Sequence, residues 1–364
     1  TTLRNYFLSI APELTQYNAR IKSLLDSRPR FATTFVFKER QKQHQRPTHV
    51  HVRGEYSRPD EEVLPAVPAV LHPLPAEAPR NRLTFAKWLV DDRNPLVGRV
   101  LANQIWQSFF GRGIVSTPEN FGIQGEPPSH PKLLDWLAVE LQNSGWSIKS
   151  LQRQIVMSAV YRQSSQVSPE LHKRDPQNIL LARGARFRVN AETIRDILLE
   201  ASDLMIKTIG GPSVFPSQPE EAGQTFGPFQ WKESTGNDRY RRGIYTFRKR
   251  GGPYAAFATF DAPPPNICVM SRRRSNTPLQ ALAQLNDLVV IESSRALARR
   301  VLDEVSGDIT SRLRHAYRIV LTRPPTKSEL TALIDFHQRQ YLRYRRARQR
   351  LFQAHVHKNR RPTL

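Results

Sequence analysis

Prolines set the first limit on this fold. Between Arg58 and Arg80 the chain carries Pro59, Pro65, Pro68, Pro73, Pro75 and Pro79. Each fixes φ and removes a backbone donor, so the stretch cannot be a regular helix and is expected as an extended strap. The interleaved Val63, Leu64, Val67, Val70, Leu71 and Leu74 argue for a strap lying against a surface rather than a free linker. Upstream, Leu14, Tyr17, Ile21, Leu24 and Leu25 recur at helical spacing, which predicts a helix over residues 1–30. The β-branched and aromatic alternation of FATTFVFKER and RPTHVHVRGEY predicts short strands within 31–56.

Downstream the pattern turns helical. Long apolar spacings cover Arg82 to Val90 and Leu96 to Phe110, the second stopped by Gly111 and Gly113. Pro131 suits a first helical position ahead of the stripe Leu133, Leu134, Leu137 and Leu141. Further helices are expected over Ser147 to Tyr161, after an Asn190 N-cap, from Pro278 to about Leu302, over Ile309 to Leu321, and after a capping box at Thr326 and Glu329 as far as about Ala354. Residues 207–243 lose periodicity and read as a long Gly/Pro-rich loop, with GIYTFRKR behind it as a short strand. No βαβ alternation and no repeat period is present. The expected fold is mainly α (α+β): an irregular helical domain with a few short strands and long loops. It falls into a lead-in over 1–80, a main domain over 81–330 and a basic helical extension over 331–364.

The 364 residues contain 39% hydrophobic residues, enough for a sizeable core, and 55 Lys+Arg against 32 Asp+Glu, a net charge of +23. That excess points to an anionic partner or to strong self-repulsion. From Phe336 onward no acidic residue occurs. There Arg339, Arg343, Arg345, Arg346, Arg348, Arg350, Lys358, Arg360 and Arg361 supply nine of the charges, leaving +14 on the rest. Such an arm would attract nucleic acid, anionic polysaccharide or lipid headgroups, or stand as a solvated terminal helix. The one cysteine, Cys268, excludes an internal disulfide, a cysteine-built zinc site and a C-x-x-C-H haem attachment in these residues. No run of apolar residues is long enough to span a membrane. The opening TTLRNYFLSI has neither an initiator Met nor a signal peptide, as expected of a fragment or a mature form.

Two long strings carry a resemblance: RNRLTFAKWLVDDRNPLVGRVLANQIWQSFFGRGIVSTPENFGIQGEPPSHPKLLDWL, and RRGIYTFRKRGGPYAAFATFDAPPPNICVMSRRRSNTPLQALAQLND. Both resemble the planctomycete-type domain of unknown function 1553, over about residues 80 to 330, and THVHVRGEYSRPDEEVLPAVPAVLHPLP resembles its lead-in. The resemblance implies an exported or periplasmic setting and association with a cytochrome c-like domain or protein. It supplies no catalytic set to transfer, and haem would belong to an upstream region rather than to this chain.

The densest constellation is Asp261 through Gln280. Arg272, Arg273, Arg274, Asn276, Thr277 and Gln280 lie between a proline turn and a helix start, where free backbone amides and arginines suit a carboxylate, sulfate or phosphate. The structural alternative pairs Asp261 with an arginine and uses Asn276 or Thr277 as the cap before Pro278. Cys268 is either a thiol activated by arginines or, between Ile267 and Val269, a buried small hydrophobe. Glu126 and His130 in GEPPSHP form an acid–base candidate pair, or simply the entry to the next helix. Asp91, Asp92 and Glu119 add carboxylates without a demonstrable partner. His49 and His51, with His44 nearby, share a strand face but lack a third ligand, so no metal site is assigned. Trp88, Trp106, Trp136 and Trp146 are expected in the core. Trp231, with Phe226, Phe229 and Tyr240, either faces a ligand or folds back onto the core.

Three functions are compatible with these residues. One is a noncatalytic binding or scaffold module of an exported, cytochrome c-associated system that contacts an anionic ligand. The second is a hydrolase or other enzyme acting on a sulfated or uronic polysaccharide, with Asp261, Glu126 or His130 as its acid–base groups. The third, resting on charge alone, is a nonspecific nucleic-acid binder.

Overall fold

The computed structural model describes residues 2–29, 33–219 and 229–358. The chain divides into two compact units, Thr1–Asn94 and Pro95–Leu364. Among the described residues the fold is mainly helical, with one antiparallel two-stranded sheet.

In the first unit the expected N-terminal helix is broken. α1 (Thr2–Ile10) and α2 (Thr15–Asp26) are separated by Ala11 and a single 3-10 turn that starts at Pro12. The proline has no amide to continue the helical ladder, which explains the interruption. Tyr17, Ile21, Leu24 and Leu25, read as an apolar stripe, are exposed. The strand prediction over 31–56 reduces to β1 (Thr48–His51), paired antiparallel with β2 (Pro59–Val63). Residues 33–41 form neither helix nor strand, and Phe35, Val36 and Phe37 are exposed. The strap over 64–81 follows, but of its interleaved Val and Leu residues Val67, Leu71 and Leu74 are partly covered, whereas Val63, Leu64 and Val70 are exposed. α3 (Arg82–Leu89) starts at Asn81, whose side chain accepts the Thr84 amide at 2.9 Å. Its Trp88 is buried, donates Nε1–H to the His72 carbonyl at 2.7 Å and stacks on the His72 ring at 5.0 Å.

The second unit is built on α4 (Val97–Phe110), α5 (Pro131–Asn143) and α6 (Ile148–Met157). Ala102, Ile105, Trp106, Leu134, Leu137, Leu141, Leu151 and Ile155 form its core. A fully buried aliphatic side chain contributes about 1.5–3 kcal/mol, so this cluster is a major source of the unit's stability. Gly98 lets α4 approach α5, because a β-carbon there would lie 3.3 Å from Ala138 Cβ. Gly111 ends α4 in the left-handed conformation at φ 76°, as the sequence predicted. Trp146 packs half-buried on this core, but Trp136, expected inside, is 52% exposed.

The helix predicted over Ser147 to Tyr161 is two helices. Ser158, at ψ 150°, closes α6 and caps α7 (Ala159–Arg162) with its side chain. α8 (Pro169–Arg174) and α9 (Ala191–Ala201) follow. Asn190 stands at the N-cap position of α9, but its side chain makes no capping bond. The strand expected in GIYTFRKR is instead a 3-10 turn (Gly243–Tyr245) and a lone bridge from Val214 to Thr246. α10 (Ala255–Thr259) carries Phe257 into a second cluster with Ala191, Tyr254 and Phe260. Trp231 joins that cluster, stacked on Tyr254 at 5.7 Å, so it folds back onto the core; Phe226 lies outside the described residues.

The helix predicted from Pro278 to Leu302 is also divided, at Asp287, into α11 (Pro278–Asn286) and α12 (Leu288–Glu304). α13 (Ile309–Leu321) and α14 (Lys327–Lys358) complete the unit. Thr326 and Glu329 bond reciprocally through amide and side chain, the expected capping box. Arg343, Arg345 and Arg346 are exposed on α14; the side chains of Arg348, Arg350 and Lys358, and all of Arg360 and Arg361, lie outside the described residues.

Fully buried Asn103 on α4 fixes the chain after the helix, accepting the Val115 amide at 2.9 Å and donating to its carbonyl at 3.1 Å. Replacing it strands two buried backbone groups, so N103A should lower unfolding free energy by about 1–3 kcal/mol in urea titrations. An unchanged midpoint would show that this clamp is dispensable.

Candidate functional site

The segment from Asp175 to Arg186 is shaped by its own polar groups. Asp175 is buried, and its two carboxylate oxygens accept the amides of Ile179 and Leu180, each at 2.8 Å. Burial alone would raise this carboxyl, but those amides and the nearby Arg183 charge outweigh it and hold the group below its ordinary value. Asn178 and Leu181 adopt positive φ, and Asn178 donates to the Arg183 carbonyl at 2.7 Å. Gln163 donates to the Leu181 carbonyl at 2.7 Å, and the Gly184 amide donates to the Ser164 carbonyl at 2.8 Å. At Gly184 a β-carbon would lie 2.7 Å from the Gln163 carbonyl oxygen, so the chain must be bare there.

This stiff segment walls two cavities, of about 300 Å³ and about 1010 Å³. Ser165, Gly184, Ala185 and Arg186 line both. Arg112, His130, His172 and Arg183 face the smaller cavity; Tyr161, Gln163, Phe187 and Arg274 face the larger. Among the described residues no Asp or Glu lines either one. Arg183 is buried and donates through Nη2 to the carbonyls of Asp175 and Pro176, at 2.9 and 3.0 Å. Its Nη1 is buried with no hydrogen-bond partner among the described residues. Arg274 donates to the Gly111 carbonyl at 2.6 Å and lies over the Phe187 ring at 4.7 Å. Burial and the neighbouring Arg188 charge push its guanidinium below the ordinary value.

The constellation read from the sequence is dispersed. Asp261, at φ 60°, accepts the amide and hydroxyl of Ser275, each at 2.8 Å to Oδ2, and pairs with Arg188. Gln280 is buried; its amide donates to Asp261 at 3.4 Å, and with Thr277 it forms a capping box at α11. Arg272 pairs with Glu192 at 2.7 Å, and Arg248 approaches the same carboxylate at 3.6 Å. Arg273 and Asn276 are exposed. Asp261 and three of the six expected anion-binding residues, Arg272, Thr277 and Gln280, are thus tied into internal pairs and caps, and of these residues only Arg274 reaches a cavity described above.

The carboxylate and imidazole in GEPPSHP do not form the expected pair. Glu126 is exposed, its amide bonded to the Thr117 hydroxyl at 2.9 Å, while His130 Nδ1 lies 3.0 Å from the Ser129 hydroxyl. Neither Asp261 nor Glu126 lines the cavity that His130 faces. Cys268, expected to be buried beside Ile267 and Val269, is exposed, as are both neighbours. On β1, His49 Nδ1 sits 2.9 Å from the Asp60 carbonyl and His51 stacks near Tyr56 at 6.3 Å. Among the described residues no three His, Cys, Asp or Glu side chains gather as a metal site, and no helix is long and apolar enough to cross a membrane.

Sequence reasoning passed over Arg183, Arg186, Arg188 and His172. Asp-Pro and Asn in DPQNILLARGARFR mark the turn ahead of the three arginines. The partner of Asp261 lies 73 residues away, beyond the reach of any local pattern.

A family model described as a protein of unknown function (DUF1553) matches residues 81–337. The chain belongs to this DUF1553 family. No curated protein and no solved structure matches it. In this DUF1553 chain both cavities lie within the matched stretch, which includes Arg112, Arg183, Arg186 and Arg274.

The Ser275 amide, stronger here than the opposing burial, and then the Ser275 hydroxyl and Arg188 hold the Asp261 carboxyl below its ordinary value of 3.8. A lowered folded pKa gives stability that is complete above the unfolded value and is lost as pH falls through the folded one. Asparagine tolerates the left-handed backbone, so D261N should lower the urea midpoint at pH ~7 and differ much less from the native chain at pH ~2. Equal losses at both pH values would exclude this electrostatic origin.

Proposed function

We propose that the second unit of this protein is a noncatalytic binding module for an anionic chain, with sulfated or uronic polysaccharide as its ligand class. The observation that carries this reading is the buried Arg183 guanidinium. It lines a cavity devoid of carboxylates and keeps one nitrogen without a partner. A buried cation in that state is costly, and a bound sulfate or carboxylate would relieve the cost through a charge-assisted hydrogen bond. Arg112 and Arg186 add donors from the same cavity, and Arg274 continues the positive lining into the larger one. Two adjoining hollows sharing Arg186 suit successive anionic groups of a polymer better than a single small ion. An exported, cytochrome c-associated setting belongs to the same proposal and rests on the resemblance read from the sequence.

The hydrolase reading has less support. Its carboxylates do not line the cavity that His130 faces, and Asp261 is already occupied by Arg188, Ser275 and Gln280. Nucleic-acid binding rests on charge alone.

Titration with a sulfated oligosaccharide should give saturable binding that weakens steeply as salt rises. R186A should weaken it about tenfold, the effect of losing about 1.4 kcal/mol of charged hydrogen bonding. R343A/R345A/R346A, on the exposed face of α14, should change it far less. Binding that survives R112A/R186A/R274A unchanged, or single-stranded DNA binding at equal affinity through the α14 arginines, would overturn the reading.

A further inference from the structure

A different cavity, of about 330 Å³, lies among α9, α10, α11 and the start of α12. Its lining is mostly apolar, with Leu198, Tyr254, Phe257, Phe260 and Ala283 among its residues. One cation interrupts it. Arg195 on α9 lines this space and is only 4% exposed. Its Nη2 donates to the Arg239 carbonyl at 2.6 Å and to the Arg241 carbonyl at 3.2 Å, and its Nε donates to the latter at 3.3 Å. Nη1 is buried and has no partner among the described residues.

The neighbouring acids are committed elsewhere. Asp287, at the cavity wall, accepts the amides of Val289 and Val290 at 2.8 and 3.3 Å and caps α12. Asp196 accepts from the Gly243 amide at 2.6 Å and from Arg242 at 3.0 Å. Tyr254 donates its hydroxyl to the Ser217 carbonyl at 3.3 Å, and burial pushes the phenol well above its ordinary value, so it stays neutral. Burial lowers the Arg195 guanidinium, and the nearby Tyr254 hydroxyl, by charge and hydrogen bonding, and the Asp196 and Asp287 carboxylates only partly offset it. The cavity therefore presents one buried cationic group with a nitrogen to spare in a mostly apolar wall, where the remaining charge, Asp287, is engaged in capping α12.

We propose that this cavity is a binding site for a monocarboxylate with an apolar chain of medium length. The carboxylate would take Arg195 Nη1, supplying the missing acceptor, while the chain lies against Leu198, Phe257, Phe260 and Ala283. The volume falls at the small end of ligand pockets, which run from about 300 to 1,000 Å³, and so favours a medium over a long chain. This site shares no residue with the cavities walled by the Asp175–Arg186 segment.

The test uses the full chain and decanoate below its micelle concentration, followed by calorimetry. One decanoate should bind per chain, with decanol at least about tenfold weaker because it lacks the charge that Arg195 recognises. Arg195 also holds the 239–241 backbone, so the blocking variant is A283F, which fills the cavity from α11 and removes none of the Arg195 donors. A283F should abolish decanoate binding and leave sulfated-oligosaccharide binding intact. Equal affinity for decanoate and decanol in the native chain, no saturable decanoate binding, or A283F that still binds decanoate normally would each overturn the proposal.

Discussion

Guanidinium groups that donate to backbone carbonyls knit this protein together. Arg195 reaches from α9 to the carbonyls of Arg239 and Arg241. Arg241, itself buried, donates to Thr208, Gly210 and Pro212 and lies over the Tyr245 ring at 3.8 Å. Arg188 holds the carbonyls of Phe260 and Ser275, and Arg183 those of Asp175 and Pro176. These carbonyls belong to segments with little regular structure, whose acceptors would otherwise need water. Arginine suits the task because its planar fork offers five donors on one rigid head. The helices supply the apolar core, and the arginines fasten the irregular chain to it.

That use of arginine changes the meaning of the charge. A surplus of +23 reads, from composition, as affinity for a polyanion. Part of the surplus is internal: Arg188, Arg195 and Arg241 are tied to carbonyls or rings, and Arg272 to Glu192. The arginines that remain informative about ligands are those at cavities with donors to spare, above all Arg183 and Arg195. Where a cation sits says more here than how many there are.

The helical framework was legible because its signals are local. The apolar stripes of α4 and α5, the left-handed Gly111 and the Thr326–Glu329 box all lie within a few residues of the structure they specify. The breaks inside continuous patterns were not legible. Ser158 and Asp287 each sit in an unbroken helical rhythm, yet each turns extended and caps the helix that follows. The mainly α class could thus be read directly, whereas helix lengths depended on whether a Ser or Asp points outward or caps. For the candidate site the resemblance located the family but not the chemistry. Arg274 was visible as part of a cluster, but its neighbours at the cavities come from the 112 and 183–186 segments, and only folding joins them. Asp261 followed the structural alternative, an internal pair, because its arginine was supplied from outside the local string.

Gly184 is the bare stretch of the partition dividing the smaller hollow from the larger. With the Gln163 carbonyl pressed against it, no side chain fits without displacing residues 163–165, and Ser165 belongs to both hollows. Remodelling at this spot therefore could not reshape one compartment alone. Both would deform together, so neither compartment's dimensions can be tuned separately from this position.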